Sequence, residues 1–294
     1  MAKVKGKGKK RETEKPAAAL ADLLRVPAGP VDLKTYDTRA TTGFTGDKLA
    51  GQQQLASMAA PLSDLQERLY ANGRTGGKQR LLLVVQGMDT SGKGGTMRHA
   101  VGLMDPQGVR IKAFQAPTPE EKQRGFLWRI RQAIPLPGEV GVFDRSHYED
   151  VLIGRVRKLT TADKLERRYD GINDFEAKLV ESGCDVIKVM LHISREEQKA
   201  RLTARLDDPT KHWKYNPGDV DDRMLWDDYQ RAYEIAIERC NTDAAPWHIV
   251  PADRKWYRNW AVTRLLVDHL QGMELEWPTA TFDVEEERAR LAAT

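Results

Sequence analysis

The glycine-rich stretch GMDTSGKGGT, at residues 87–96, holds the side chains with the clearest capacity for chemistry. Its spacing, G-x-x-x-x-G-K, is that of a phosphate-binding loop, in which glycines let backbone N–H groups converge on one anion. An ammonium at Lys93 can bridge two phosphate groups, and a helix that starts there adds its positive end. The pattern predicts phosphate contacts from Gly87, Gly92, Lys93, Gly94, Gly95 and Thr96.

The residue after the lysine departs from the usual pattern, because Gly94 stands where a serine or threonine hydroxyl normally ligates Mg²⁺. Asp89, inside the loop, is the candidate replacement, since Mg²⁺ prefers hard oxygen ligands. A glycine-rich turn that binds nothing is the alternative, and the strand and helix predicted on either side argue against it. We therefore expect Asp89 to be a ligand of Mg²⁺.

A second acidic residue, Asp144, follows another short apolar run at residues 140–143. In phosphate-loop enzymes an acid at the end of a neighbouring strand holds Mg²⁺ or its waters beside the loop. The next residue, Arg145, keeps its charge and has planar donors that match phosphate oxygens. Asp144 alone could cap a helix and Arg145 could form a surface ion pair, but the phosphate loop makes both alternatives weaker.

A helix predicted to begin at Ser194 carries Arg201 and Arg205, whose spacing of four places them on one face. The segment 207–219 that follows is rich in proline, glycine and aromatic residues. Such an arginine pair is usually a solvated stripe. Joined to this segment it predicts a lid that closes over phosphates, because phosphoryl transfer must exclude water.

The elements that must position these residues read as an α/β fold. Five short apolar runs alternate with helical segments, which predicts a mostly parallel five-stranded sheet with helices on both faces. Ligands of such sheets bind at the carboxyl ends of the strands, where the loop and Asp144 meet. We expect strands at 81–85, 109–114, 140–143, 184–193 and 247–250, and helices at 17–24, 52–71, 96–104, 118–133, 161–183, 219–240 and 253–271 as well as after Ser194.

Composition divides the chain into four regions. Residues 1–30 are predicted to be a disordered basic tail, because the start is rich in lysine and lacks apolar periodicity. An N-terminal arm and a helix occupy residues 31–78. The phosphate-loop domain spans 79–275, with its lid at about 195–222. Residues 276–294 are predicted to form a polar C-terminal tail that frays.

The net charge, the hydrophobicity and the cysteine content indicate which partners and which cellular location to expect. The net charge of +4, with 31% charged residues, indicates local basic patches that suit a polyanion. No apolar run could span a bilayer, so we expect no membrane partner. The two cysteines lack metal-ligand spacing, which favours a reduced, cytoplasmic protein. A solvated tail is the simpler interpretation of the Lys-rich start, so we do not expect a nucleic-acid partner.

Four motifs, GMDTSGKGGTMRH, KAFQAPTPEE, VFDRSHYEDVL and APWHIVPADRKWYRNW, together resemble the family-2 polyphosphate kinases, over roughly residues 31–275. The resemblance implies a thymidylate-kinase-like phosphate-loop kinase fold with a helical lid. It also implies reversible, Mg²⁺-dependent transfer of a terminal phosphoryl group between inorganic polyphosphate and nucleoside phosphates, ADP to ATP and AMP to ADP. The SHYEDVL motif is most similar to the class that phosphorylates both AMP and ADP. Family members imply a homo-oligomer, a dimer or a tetramer.

The resemblance also implies residue roles. The acceptor is a phosphate oxygen that is already ionised, so no general base is needed, and charge neutralisation and positioning carry the reaction. Arg98, Lys112 and Arg124 are predicted to extend a basic track for the polymer. The metal ligands are expected to be Asp89 and Asp144, with Glu149 near Mg²⁺ or the acceptor. The predicted catalytic residues are Asp89, Lys93, Arg145, Arg201 and Arg205.

Two alternatives from other classes stay open. An ATP-dependent kinase acting on a small metabolite or nucleotide would work without polyphosphate. A non-catalytic phosphate-loop module would bind nucleotide without turnover. Acidic residues at two strand ends, together with a lid, favour turnover.

Overall fold

The computed structural model describes residues 19–294. Five strands form one sheet in the order β2-β3-β1-β4-β5, and every neighbouring pair is parallel. The predicted α/β class and all five predicted strands are therefore confirmed. The strands are β1 Arg80–Gln86, β2 Val109–Ala113, β3 Val140–Asp144, β4 Cys184–His192 and β5 Trp247–Pro251.

The central strand β1 contributes to the hydrophobic core on both of its faces. Leu82 and Val84 belong to one hydrophobic cluster, while Leu81, Leu83 and Val85 belong to the other. All five side chains are fully buried. A strand covered on both faces needs an unbroken apolar run instead of an alternating one, which is why the sequence identified it.

Helices cover both faces of this sheet. The helices α7 and α10 pack on the face of Leu82, and α2 and α11 pack on the face of Leu83. Four short 3₁₀ segments lie at Leu33–Thr35, Val101–Leu103, Pro106–Gly108 and Pro209–Lys214. The α-helices are α1 Leu20–Leu24, α2 Lys48–Arg74, α3 Lys93–His99, α4 Pro119–Gln123, α5 Trp128–Arg131, α6 Glu149–Val156, α7 Ala162–Glu181, α8 Arg195–Leu206, α9 Gly218–Met224, α10 Trp226–Cys240, α11 Lys255–Gly272 and α12 Val284–Ala292.

Two predicted helices are interrupted. The helix expected at 118–133 has its predicted capping box at Thr118, but it ends at Gln123 because Arg124 takes extended backbone angles, and α5 begins only at Trp128. The helix expected at 219–240 breaks at Leu225, which separates α9 from α10. Continuous helices were therefore the wrong prediction in both places.

Both ends of the described chain are more ordered than predicted. The disordered tail predicted for residues 1–30 is wrong over 19–30, where Leu20 and Leu24 of α1 are buried in the core. The Val26 N–H donates to the Trp247 carbonyl beyond the end of α1, at 2.9 Å. The earlier part of that tail, and the start of the predicted helix 17–24, lie outside the described residues. At the C-terminus, α12 replaces the predicted fraying tail, with Asp283 as its N-cap.

No helix within residues 19–294 combines the length and the apolar character that crossing a bilayer requires.

A buried polar cluster lies under the end of β3. The Lys188 ammonium on β4 is fully buried and donates to Glu176 at 2.6 Å, to the Tyr148 hydroxyl at 2.9 Å and to the Cys240 carbonyl at 2.6 Å. His147 bonds the other Glu176 oxygen at 3.0 Å. Burial alone would raise the pKa of Glu176, but Lys188 and His147 outweigh it and lower that pKa. The cluster therefore holds the turn after β3 by paired charges.

Removing one partner of this cluster is expected to destabilise the fold. The Lys188→Met variant should lose about 3–5 kcal/mol of unfolding free energy, because it leaves the Glu176 carboxylate buried without its cation. The double variant Lys188→Met/Glu176→Gln should recover part of this loss, since neither charge remains. Urea denaturation at neutral pH measures both, and a single-variant loss below about 1 kcal/mol would contradict charge pairing in the interior.

Candidate active site

The loop between β1 and α3 takes a backbone shape that only glycine fits at two positions. Gly87 and Gly92 have φ values of 147° and 115°. A Cβ on Gly87 would come within 2.7 Å of the Leu191 carbonyl oxygen. The Lys93 ammonium folds back over the loop and donates to the Gly87 carbonyl at 2.7 Å and the Met88 carbonyl at 3.3 Å. The loop thus presents a cation and a compact turn, as a phosphate-binding loop does.

Asp89 of this loop and Arg145 after β3 form an ion pair with Nη2 and Oδ1 2.7 Å apart. Parallel pairing brings them together, because Val85 at the end of β1 lies opposite Asp144 at the end of β3. Arg145 has φ 63°, a left-handed conformation that is strained for a non-glycine residue, and its N–H donates to the Val85 carbonyl. Strain of this kind concentrates at functional sites.

The charges of the pair shift each other's pKa. Burial would raise the pKa of Asp89, but Lys93 and Arg145 outweigh it and lower that pKa below its ordinary value. Burial would lower the pKa of Arg145, but Asp89 and Glu149 reverse this and raise it. Both residues are therefore charged throughout the physiological range.

Two cavities meet at this ion pair. The larger, which we call the basic cavity, has a volume of about 850 Å³ and is lined by nine lysines and arginines against two aspartates. The smaller, which we call the acidic cavity, has a volume of about 260 Å³ and is lined by four acids, two arginines and two tyrosines. Asp89 and Arg145 line both cavities, so one pair of side chains separates a strongly cationic space from an acidic and aromatic one.

Most of the predicted site residues line one of these cavities. Gly87 and Glu149 line the acidic cavity. Besides the shared pair, those that line the basic cavity are Gly92, Lys93, Gly94, Gly95, Arg98, Asp144, Arg201 and Arg205.

Three predicted phosphate contacts lie elsewhere. Thr96 is fully buried and lines neither cavity. Lys112 lies on the edge strand β2, with its ammonium 5.9 Å from the Phe114 ring centroid, and Arg124 lies 5.7 Å from that of Trp128. Lys112 and Arg124 of the predicted basic track therefore line neither cavity, whereas Arg98, its third residue, lines the basic cavity.

The two lid arginines differ in how their donors are used. Arg201 uses all five N–H groups: it bonds Glu197 and the carbonyls of Thr90, Ser91, Ala252 and Asp253 at 2.7–3.0 Å. It therefore ties α8 to the loop and has no donor left for a phosphate. In Arg205 only Nη1 is bonded, to the Lys214 carbonyl and to Asp219, among residues 19–294.

Asp89 and Asp144 are suitable ligands for Mg²⁺ if substrate phosphates and waters provide the remaining ligands. Asp89 and Asp144 both line the basic cavity, and within residues 19–294 the Asp144 carboxylate has no ion-pair partner. Across the same residues no group of three or more acidic, histidine or cysteine side chains is placed to hold a metal ion. Glu149, the third predicted ligand, lines the acidic cavity whereas Asp144 lines the basic one, and its place near Mg²⁺ stays a prediction. Mg²⁺ suits this arrangement, because it is commonly bound by one or two carboxylates together with substrate phosphates and waters.

Sequence reasoning missed several cavity residues. Lys255 and Arg258 of α11 line the basic cavity, as do Lys211 and Lys214 of the 3₁₀ segment Pro209–Lys214, and Asp219 lines the acidic cavity. Lys255 and Arg258 lie three apart on a helix, which is a signal for a shared face. The aromatic residues around them dominated the pattern, which was interpreted as core.

Asp253, the first residue of the helix expected at 253–271, lies before α11 and links two other parts of the chain. Its carboxylate accepts from the Ser194 N–H and the Thr38 hydroxyl, both at 2.8 Å. It therefore links the start of α8 to the N-terminal arm, and α11 begins after Arg254 without a side-chain cap.

Comparison with known proteins places the chain in a family. The family model described as Polyphosphate kinase 2 (PPK2) matches residues 45–278. A protein of Meiothermus ruber named AMP/ADP-polyphosphate phosphotransferase is 44% identical over 252 residues, which cover 86% of this chain and 93% of that protein. A protein of Rhodopseudomonas palustris named ADP-polyphosphate phosphotransferase is 34% identical over 263 residues, covering 85% of this chain and 89% of that protein.

A solved structure is similar over almost the whole chain. The crystal structure of Polyphosphate Kinase 2 from Arthrobacter aurescens TC1 has 54% sequence identity and a TM-score of 0.92, and the match covers 95% of this chain and 98% of that one. The family match, the identities and this structural likeness confirm the resemblance expected from the four sequence motifs. The chain belongs to the polyphosphate kinase 2 family.

Proposed function

We propose that the protein catalyses reversible, Mg²⁺-dependent transfer of a terminal phosphoryl group between inorganic polyphosphate and nucleoside phosphates, ADP to ATP and AMP to ADP. The names of the Meiothermus and Rhodopseudomonas relatives support these substrates. The observation that carries the proposal is the meeting of a basic and an acidic cavity at the Asp89–Arg145 pair. A donor and an acceptor of different chemistry can approach that pair from opposite sides.

The basic cavity suits the polyphosphate chain. Nine cationic side chains face two acids there, and a cleft lined by one sign of charge concentrates a ligand of the opposite sign. Lys93 and Arg205 would bind its phosphate oxygens. Three further cations of the lid and α11, at Lys211, Lys214 and Lys255, extend the same surface.

The acidic cavity suits the nucleotide acceptor. Glu149, Asp219 and Asp222 repel a bare phosphate polymer, while Tyr229 and Tyr233 offer aromatic surface to a ribose or base. Arg145 at its inner end would receive the acceptor phosphate. Charge and aromatic surface together would direct the two substrates to different sides of the ion pair.

The reaction needs position and charge more than proton transfer. The attacking phosphate oxygen is already ionised, so the chain has to align two anions and neutralise their charge. Arg145 and Lys93 are the cations nearest the shared boundary. Asp89 and Asp144 would hold Mg²⁺, which supplies further neutralisation of the transferring group. One phosphoanhydride is exchanged for another, so concentrations would set the direction.

The remaining expectations form part of this proposal. The helical lid would be the α8–α9 region, which contributes Arg205, Lys211 and Lys214 to the basic cavity. A dimer or tetramer is expected from the family resemblance, and light scattering coupled to size-exclusion chromatography tests it. The cytoplasmic location stays a prediction.

The substrate assignment has a direct test. Purified protein with Mg²⁺, polyphosphate and ADP is expected to form ATP, and with AMP to form ADP, as measured by chromatography of the nucleotides. Omitting either Mg²⁺ or polyphosphate should abolish the product. Equal phosphorylation of a nucleotide or metabolite by ATP without polyphosphate would contradict the proposal and favour an ordinary kinase.

Two loop variants test the site assignment. Asp89→Asn and Lys93→Ala are each expected to reduce ATP formation by about 10²-fold or more. The first removes a carboxylate that pairs with Arg145 and would hold Mg²⁺, and the second removes a cation that would bind the reacting phosphates. The exposed Lys164 on α7 offers a matched control, since Lys164→Ala removes a lysine that lines neither cavity. Loop variants with nearly wild-type rates would refute the assignment.

The pH dependence of stability should reveal Asp219. Burial and the negative charge of Asp89 raise the pKa of Asp219 to about 6, against the opposing effect of Arg205, Arg145 and Lys93. A raised carboxyl pKa means that folding binds the proton more tightly, so the stability contributed by Asp219 is lost as pH rises from about 4 to about 6.

The Asp219→Asn variant cannot ionise and serves as the reference. The thermal midpoint of the wild type relative to that of the variant is expected to fall between pH 4.5 and 6.5 and to level off above. Thermal unfolding followed by circular dichroism measures the difference. A difference that is constant with pH would contradict the raised pKa.

A further inference from the structure

Arg258 is a buried arginine next to the phosphate loop that the roles above leave unused. It lies in the first turn of α11, is 3% exposed and borders the basic cavity. Its Nε and Nη2 both donate to the amide oxygen of the adjacent Asn259, at 3.2 and 2.7 Å. Its Nη1 has only a long contact of 3.5 Å to the Ser91 carbonyl. The guanidinium thus has weak neutral partners.

No carboxylate compensates this charge within residues 19–294: Arg258 forms no ion pair there. Its charged neighbour is another arginine, Arg201. Burial, and then the repulsion from Arg201, lowers the pKa of Arg258 to about 10. A buried guanidinium without an anion is unfavourable, and residues 19–294 supply no anion that pairs with this one.

The loop is shaped around this guanidinium. A Cβ on Gly92 would lie 1.7 Å from Arg258 Nη1, and a Cβ on Gly95 would lie 2.4 Å from Nη2. Only residues without a side chain allow the guanidinium to approach the loop backbone this closely. Lys93, between these two glycines, is the phosphate-binding cation of the loop pattern. Arg258 therefore adds a second positive charge beside Lys93 at the edge of the basic cavity.

We infer that Arg258 is a phosphate-binding residue of the basic cavity and that its missing counter-ion is the polyphosphate chain itself. The inference rests on the proposed function for the identity of that polyanion. The empty protein then holds an uncompensated charge, and binding of the anion relieves it. Anion affinity and protein stability are thereby linked through this side chain.

Arg201 provides the internal contrast. It is a neighbouring arginine with a side chain only 9% exposed, but its five donors are all bonded to one carboxylate and four carbonyls. Its charge is already satisfied in the empty protein. Truncating Arg201 should therefore destabilise the empty protein, whereas truncating Arg258 should not.

The experiment measures stability and anion binding without turnover. Thermal unfolding is measured with and without tripolyphosphate, in the absence of nucleotide and Mg²⁺, for the wild type and for Arg258→Met, Arg258→Lys and Arg201→Met. Calorimetry gives the Kd for tripolyphosphate.

Arg258→Met is expected to melt at or above the wild-type temperature when empty. Its tripolyphosphate affinity should fall about 10-fold or more, the loss of a charge-assisted contact. Arg258→Lys should bind with intermediate affinity, and Arg201→Met should melt lower when empty.

Steady-state kinetics give a second readout. In Arg258→Met the KM for polyphosphate should rise about 10-fold, while the KM for ADP stays within about twofold of wild type. Unchanged tripolyphosphate affinity in this variant, or an empty variant that melts well below wild type or does not fold, would overturn the inference and assign Arg258 to packing. The tripolyphosphate affinity and the melting temperature are measured independently of ATP formation. Arg258-dependent tripolyphosphate binding without ATP formation would support this inference while refuting the proposed function.

Discussion

The ion pair between Asp89 and Arg145 is the contact on which the rest of the site depends. It joins the loop after β1 to the turn after β3, and it is possible because the two strands are parallel neighbours with Val85 opposite Asp144. Each residue keeps the other charged. Because the same two side chains line both cavities, their positions decide where a donor and an acceptor could meet.

The turn that carries Arg145 is supported by a second, buried pair of charges, Glu176 and Lys188. Arg145 itself takes a left-handed backbone conformation, which needs support from its surroundings. Two residues further on, His147 and Tyr148 both bond Glu176, which Lys188 neutralises in the fully buried interior. The hydrogen-bonded network around Glu176 thus holds the strained turn, and with it Arg145, in a fixed position. A reaction that depends on positioning requires such rigidity.

Two arginines that contact the phosphate loop have different roles: Arg201 is structural, and Arg258 is proposed to bind the ligand. Arg201 bonds the loop carbonyls of Thr90 and Ser91 and thereby ties α8 to the phosphate loop. Arg258 lies against the loop glycines, and within residues 19–294 it pairs with no carboxylate. A site built to receive a polyanion can leave such charge uncompensated when empty, since the ligand supplies the opposite charge. Two arginines that line the same cavity would therefore have opposite effects on the stability of the empty protein.

Local sequence pattern was sufficient to predict the five strands, the phosphate loop and the acid at the end of β3. Apolar runs and glycine spacing are features of a few consecutive residues and can be recognised without knowledge of the fold. The same pattern assigned Arg201 to phosphate binding and overlooked Arg258. Which donors of an arginine are already bonded depends on carbonyls such as those of Ser91 and Ala252, which lie 110 and 51 residues away in the chain. The sequence by itself therefore determined the fold class, the family and the loop. Only the tertiary structure decided the two cavities, the placement of Glu149 and Asp144 in different cavities, and the partners of each buried charge. These depend on long-range neighbours that no local spacing encodes.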